Sequence, residues 1–367
     1  MLPTTSALPK IGARSVLTAI ILAASLVLAA CGIQGEYAHT GDSQLREQLP
    51  AAGDLNDPRS FTGVTHVDDF EDVVPIVDNP APQLPVELTD ADGYDVVVED
   101  VSRILALDLY GTYTKTLTGL GLADNIVGRT VSSTEDIMAD KPVVTEGGHN
   151  INVEAVLELQ PSIVIVDHSI GPPDAIDQIR NAGVTTVVME PTRTIDSIAE
   201  DITTLGGVVG LPDEAEELAQ RSVDELEKDL AAIQELVPED PMRIAFLYAR
   251  GTAGVFFIMG EGTGAKDLIE GVGGIDLGTE HNLSYVEPAN AESLARINPE
   301  LIIMMTKGLE STGGIEGLME RPGIAQTIAG QKQRIVTLPD GQSLAFGPMT
   351  GQTLLRLAQA IYDPEQQ

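Results

Sequence analysis

Asn152-Val-Glu-Ala-Val-Leu-Glu-Leu-Gln-Pro-Ser-Ile-Val-Ile-Val166 returns, 138 positions later, as Asn290-Ala-Glu-Ser-Leu-Ala-Arg-Ile-Asn-Pro-Glu-Leu-Ile-Ile-Met304. Asn, Glu, Pro and one Ile are identical, and most other positions keep their apolar or polar character. Each copy reads as a short helix that begins near the Asn and is ended by the Pro, followed by a buried strand. Upstream, Arg103 to Leu107 aligns with Arg243 to Leu247 as a strand, and both are followed by glycine-bearing segments from Gly119 and Gly271. Downstream, Thr185 to Met189 and Arg334 to Leu338 supply a further apolar strand in each half. An unknotted chain accommodates such a repeat as two copies of one β/α layout, here over about 95–206 and 241–367.

Between the copies runs a charged stretch from Asp213 to Val237, bounded by Pro212 and Pro238, with Leu218, Leu226, Leu230, Ile233 and Val237 at mostly helical spacing. A helix of this length spans about 37 Å, comparable to a small domain. The expected fold is therefore α/β, with two similar α/β lobes joined by a single long helix and a ligand cleft between them. In open α/β sheets ligands lie beyond the carboxyl ends of the strands, which here face that cleft. A helical connection restrains hinge opening, so the cleft should change only modestly on binding.

The amino terminus carries an address. Lys10 and Arg14 precede an apolar run from Ser15 to Ala30 that is too short for a spanning helix, and Leu28-Ala-Ala-Cys31 resembles the lipobox at which a signal peptide is removed and the cysteine lipidated. Residues 1–30 read as the signal peptide and Cys31 as the lipid anchor. It is the one cysteine, so an intramolecular disulfide and a thiolate metal cluster are both excluded. From 31 to 83 the composition is acidic, Pro- and Gly-bearing and without sustained period, which predicts a solvated flexible tether in which His39 and His66 do no chemistry. Pro85 to Leu88 and Tyr94 to Val98 then read as a hairpin opening the first lobe, 84–206, ahead of a linking segment at 207–240 and a second lobe at 241–367. The formal net charge of −35 becomes more negative once residues 1–30, with their two cations and no acid, are removed. That repels phosphate backbones and anionic lipid, so nucleic acid is excluded as a partner and contact with the membrane is left to the lipid.

From residue 95 to the end, the paired Asn-x-Glu helices, the glycine-rich segments and the linking helix resemble the substrate-binding proteins of the siderophore, cobalamin and haem import family. The segments RILALDLYGTY, GGHNINVEAVLELQP and LYARGTAG are most similar to the actinobacterial hemin-binding lipoproteins of ABC-type importers. That resemblance implies a non-enzymatic, extracytoplasmic protein that captures ferric haem and delivers it to a permease dimer with its ATPase subunits. It implies haem iron held between a histidine of the first lobe and a tyrosine of the second, with an arginine beside the tyrosine, and these fall on His149, Tyr248 and Arg250. It also implies that Glu154 and Glu292, one in each Asn-x-Glu helix, dock on the permease.

Taken singly, these residues have plainer readings: a lone His is more often structural, a lone Tyr is more often packing, and an Arg is as often a surface ion pair. Glu at a helix start is favourable without any partner. Position supports the sharper reading, because the repeat equates His149 with Glu287 and Tyr248 with Asp108, all in cleft-side connections. An imidazole and a phenolate on opposing lobes can supply both axial ligands of a metal porphyrin, and Arg250 would favour the phenolate. Tyr110, Tyr113, Phe256, Phe257 and Met259 are weaker candidates for flanking such a disc, and Arg129 and Lys141 for meeting its carboxylates. His168 and His281 read as structural. A ferric siderophore or cobalamin is the alternative cargo and would not need the His149 and Tyr248 pair. An envelope enzyme is the third class, but neither a P-loop, nor a nucleophile elbow, nor a His-rich cluster occurs in the sequence.

Overall fold

The computed structural model describes residues 40–50, 55–68, 70–252 and 254–364. The expected signal peptide, Cys31 and His39 lie outside them.

In the first lobe four parallel strands lie in the order Ile126–Gly128, Ile104–Leu107, Ile163–Asp167, Thr185–Met189. ILAL and IVIVD are continuous apolar runs because both faces of a parallel sheet are covered. Their alternation sorts the side chains cleanly. Leu105, Leu107, Val164 and Val166 pack with the helix Pro173–Asn181 in a core belonging to this lobe, whereas Ile104, Ala106, Ile163 and Ile165 join a larger core on the other face.

The second lobe repeats that arrangement and extends it. Val64–His66, Ile335–Leu338, Leu301–Met305 and Arg243–Arg250 are parallel neighbours, with Ile275–Asp276 beside the start of the last. Ile244, Phe246, Leu301 and Ile303 face the larger core, and Ala245, Leu247, Ile302 and Met304 face a second-lobe core. Two antiparallel strands, Val255–Met259 and Val286–Pro288, have no counterpart in the first sheet. Arg243–Arg250 is eight residues long, twice its repeat partner Ile104–Leu107, because its outer half pairs with Val255–Met259.

The linking helix runs from Pro212 to Gln234, with Pro at its start and Asp213 and Glu214 in its first turn, where they complement the helix dipole. It ends before the expected Val237, since the residue preceding Pro238 disfavours helical backbone. Leu218, Leu226 and Ile233 lie in the larger core with Leu354, Leu357 and Ile361 of the last helix, Thr350–Tyr362. Gly206 permits the close approach of the preceding helix, Ile198–Val208, since a Cβ there would sit 2.1 Å from that of Ala215. The hairpin forms from Val86–Thr89 and Asp95–Val98.

The tether expected over 31–83 is corrected for its described part, which is built into the body. Thr40–Gln48 is helical, and Arg46 on it ion-pairs with Glu225 at 2.9 Å and Asp229 at 2.5 Å on the linking helix. Arg59 reaches Glu300 at 2.9 Å. Val64–His66 is an edge strand of the second-lobe sheet, and His66 is 2.7 Å from Thr337 Oγ1 through Nδ1. Beyond it Val67, Phe70, Val73 and Ile76 are buried in the larger core, each contributing roughly 1.5–3 kcal/mol. The described residues from 67 to 85 form neither helix nor strand. Apolar anchors spaced singly among acids along irregular backbone therefore leave no period of 2 or 3.6, and their partners lie far away in sequence.

Candidate functional site

Between the lobes, at the carboxyl ends of the strands, lies a cavity of about 620 Å³. The first lobe lines it with Leu109, Tyr110, Val131, Ser132 and the loop Gly147–His149. The second adds Tyr248, Arg250, Phe257, Met259, Tyr285, Val286, Met305, Lys307, Asp340 and Leu344. The lining is mostly apolar and aromatic, with a few charged groups, as expected of a small-molecule site.

His149 and Tyr248 thus face one space from opposite lobes, but they are held differently. His149 sits in the tip between two short paired strands, Thr145–Glu146 and Asn150–Ile151. Gly147 and Gly148 carry positive φ of 60° and 93°, which lets the chain reverse within three residues. Its carbonyl accepts from Gly171 N–H at 3.0 Å, while the exposed imidazole has no hydrogen bond among the described residues. Tyr248 belongs to the long strand, opposite Phe257. Its neighbours Leu247 and Ala249 are buried in the second-lobe core, so alternation turns Tyr248 and Arg250 to the cleft.

Arg250 does not lie free beside the phenol. Its guanidinium is 4.7 Å from the centre of the Tyr248 ring and ion-pairs with Asp340 at 2.7 Å. It also donates to Ala249 O at 3.1 Å and meets Met305 Sδ at 3.2 Å. Lys307 is exposed, and its ammonium has no carboxylate within ion-pair distance among the described residues.

Behind the first-lobe wall is a buried polar cluster. Asp167 pairs with Arg193 and accepts the Tyr113 hydroxyl at 2.7 Å. Asp108 accepts Tyr110 N–H and Thr112 N–H, but its other carboxylate oxygen is buried without a partner. Burial pushes the Asp108 carboxyl up to about 6 against the pull of Arg193, and Asp167 pushes the same way. Burial likewise raises the phenols of Tyr110 and Tyr113. Arg193 stays above its ordinary range because Asp167 and Asp108 outweigh burial, and it stacks 4.8 Å from the Tyr110 ring.

Other expected residues separate. Tyr110, Phe257 and Met259 line the cavity, whereas Tyr113 and Phe256 are buried in the cores. Arg129 is spent on the carbonyls of Lys141, Thr130 and Ser133, so neither it nor Lys141 lines the cavity. His168 pairs with Asp92 at 2.8 Å. His281 also lies away from the cavity lining. Glu154 and Glu292 are exposed in the first turns of Val153–Glu158 and Ala291–Ile297, and neither has an ion pair among the described residues.

Sequence reading missed Leu109, Val131, Ser132, Tyr285, Val286, Met305, Lys307, Asp340 and Leu344. The repeat held a signal for one of them: Tyr285 occupies the place of Gly147, in the same connection as the Glu287 and His149 match. Its φ of 53° fits a position that takes glycine in the other lobe.

Comparison with known proteins places the fold. The structure of the heme binding protein HmuT is 63% identical, covers 84% of this chain and all of its own, and superimposes with a TM-score of 0.83. The periplasmic heme-binding protein RhuT from Roseiflexus sp. RS-1 is 31% identical over 72% of this chain and 99% of its own, with a TM-score of 0.66. Among curated proteins, the uncharacterized ABC transporter substrate-binding lipoprotein YvrC of Bacillus subtilis is 24% identical over 76% of this chain and 86% of its length. Residues 108–341 match the periplasmic binding protein family across the cleft-forming parts of both lobes, and the chain belongs to that family.

Proposed function

We propose that this protein captures ferric haem outside the cytoplasm and passes it to an ABC importer, with His149 and Tyr248 as the two axial ligands of the iron. One observation carries the reading: an imidazole and a phenol, neither with a hydrogen bond among the described residues, project from opposite lobes into one mostly apolar cavity of about 620 Å³. Among the described residues no three His, Cys, Asp or Glu side chains gather as a site for a bare ion. A single donor on each side suits a metal whose equatorial positions are already filled by a macrocycle. Phenolate is a hard anionic donor that favours ferric iron. The protein carries a net charge of −35 and haem carries carboxylates, so Lys307, a cation at the cavity with no ion pair among the described residues, offsets repulsion where it matters. The 63% identity to a heme binding protein supports the same cargo.

Two outer features complete the reading. Cys31 is the lipidated residue that tethers the protein to the membrane. Glu154 and Glu292, exposed on equivalent capped helices, present one carboxylate from each lobe to arginines of a permease dimer, whose ATPase subunits respond. Cys31→Ser should give folded, haem-binding protein that no longer needs detergent for release. Glu154→Arg with Glu292→Arg should abolish haem-dependent ATPase stimulation and leave haem affinity intact. For the cargo, the full chain is titrated with ferric protoporphyrin IX, cobalamin and a ferric siderophore. Saturable binding of the first, with a phenolate-to-iron absorption band lost in Tyr248→Ala, is expected. Preference for either of the others, or an unchanged spectrum in both Tyr248→Ala and His149→Ala, overturns it.

A further inference from the structure

Arg250, beside Tyr248, is ion-paired to one loop of the second lobe, and a residue of the first lobe bonds to that same loop. Asp340 uses both oxygens: Oδ1 pairs with Arg250 Nη2 at 2.7 Å, and Oδ2 accepts the Lys307 N–H at 2.9 Å. The guanidinium is closely confined there, since a Cβ on Gly308 would lie 2.9 Å from Nη1. The next residue, Gly341, is gripped from the other side of the cleft. Its carbonyl accepts from Lys115 Nζ at 2.8 Å, and Lys115 stands on the first-lobe helix Thr112–Gly119. Lys115 is only 1% exposed, also donates to Gly111 O at 3.2 Å, and is 3.9 Å from the buried Glu135. Gly341 is pressed against the first lobe, because a Cβ there would be 2.2 Å from Thr134 Oγ1 and 2.7 Å from Ser132 O.

We propose that Asp340 is a positioning residue which, held by Lys115 across the lobe boundary, sets how much of the Arg250 charge Tyr248 feels and so couples the grip on the cargo to the arrangement of the lobes. The proposal rests on the reading of Tyr248 as a donor to ferric haem. While Asp340 holds Arg250, the guanidinium charge is largely neutralised and the phenolate keeps its electron density for the iron. A charge-assisted bond from a buried ammonium keeps Gly341 with the first lobe when the lobes shift. Asp340 is then drawn from Arg250, the freed guanidinium competes for the phenolate charge, and the iron bond weakens. Lobe displacement by a docked permease would thereby become release.

The full chain loaded with ferric protoporphyrin IX is compared with its Asp340→Asn, Asp340→Glu and Lys115→Met variants, reading the phenolate-to-iron band and the rate of haem transfer to excess apomyoglobin. Asp340→Asn should move the band to shorter wavelength and speed transfer roughly tenfold, equivalent to about 1.4 kcal/mol, and Asp340→Glu should recover most of both. Lys115→Met decides the coupling by sign. Loss of a cation acting by charge alone strengthens the phenolate donor and moves the band to longer wavelength, whereas loss of the Gly341 grip moves it to shorter wavelength. Unchanged band and rate in Asp340→Asn, or a shift to longer wavelength in Lys115→Met, overturns the proposal. Should Lys115→Met not fold, Lys115→Met with Glu135→Gln removes both buried charges together and carries the same expectation.

A haem-free readout separates this from the cargo assignment. Melting temperatures of Lys115→Met, Arg250→Met and the double variant should be non-additive if Asp340 links them, and additive losses overturn the link. Non-additive melting together with no phenolate band in the wild type overturns the role of Tyr248 as donor, and with it the release step, while the inter-lobe link stands.

Discussion

The two walls of the cavity arise from one repeated layout, yet they hold their candidate ligands in opposite ways. On the second-lobe side Tyr248 is part of an eight-residue strand paired on both edges, and Arg250 beside it is fixed by Asp340. On the first-lobe side the matching strand stops after four residues at Leu107, and His149 is supplied by a glycine-bearing tip, its imidazole exposed and without a hydrogen bond among the described residues. A donor locked into a sheet is already positioned before ligand arrives, whereas one on a narrow tip gives up freedom when it binds. The antiparallel extension of the second sheet thus makes one wall an anchor, and the shorter first sheet leaves the other as a latch.

The strongest way to break this contrast is to remove the anchor. Tyr248→Ala should accelerate haem loss by roughly a thousandfold, about 4 kcal/mol, measured as transfer to excess apomyoglobin. A loss smaller than that of His149→Ala in the same assay would reverse the assignment of anchor and latch.

A second test concerns what lies behind the walls. The second lobe backs its wall with apolar core, while the first sets the buried Asp108 and Asp167 beside a half-buried Arg193. The Asp108 carboxyl is raised from 3.8 to about 6, so the folded protein binds a proton more tightly than the unfolded chain between those values. Stability attributable to this group is therefore fully present below pH 4 and falls as pH rises through 6, by up to about 3 kcal/mol. Urea unfolding should show Asp108→Asn gaining most of that at pH 7 relative to wild type and little at pH 4. An equal effect at both pH values would mean that Asp108 is not a buried, costly carboxylate.

The latch itself should matter less. His149→Ala is expected to speed haem loss roughly tenfold, about 1.4 kcal/mol, and to change the iron spectrum without altering the melting temperature of the haem-free protein, because the imidazole has no hydrogen-bond partner among the described residues. A drop in that melting temperature would show that His149 supports the loop rather than waiting for a ligand.

How much of this was legible beforehand follows from the range of each signal. The repeat revealed the two lobes, because identical Asn, Glu and Pro positions mark the same helix and strand twice. Resemblance and repeat both point to Tyr248 and His149 in cleft-side connections, and both side chains line the cavity. The described part of 40–83 departs from the expected tether because its anchors, among them Phe70 and Ile76, stand on irregular backbone and pack into a core assembled from both lobes. Asp340 was missed for the same reason: it lies 90 positions from Arg250, outside the repeated segments, in a loop with no pattern of its own. Phe256 and Phe257 were indistinguishable until the strand's register sent one into the core and the other into the cavity.

The smallest expected difference lies in the two helices that carry Glu154 and Glu292, where the lobes look most alike. Asn152 accepts one backbone N–H, from Ala155 at 3.0 Å, and its amide donates to Glu146 at 2.6 Å. Asn290 accepts two, from Glu292 at 2.9 Å and Ser293 at 3.0 Å, and Ser293 Oγ in turn accepts the Asn290 N–H at 2.9 Å in a closed capping box. Losing a cap costs about 1 kcal/mol, and more where several orphan donors depend on it. Asn290→Ala should therefore destabilise the protein by about 1–2 kcal/mol and Asn152→Ala by about 0.5–1 kcal/mol, read from urea midpoints at constant slope. Because the Asn290 side chain also fixes the backbone of Glu292 itself, its loss should reduce permease stimulation more than the loss of Asn152 does. Equal stability losses, or a larger loss of stimulation for Asn152→Ala, would show that the firmer hold of the second lobe on its side chains does not extend to the helix carrying Glu292.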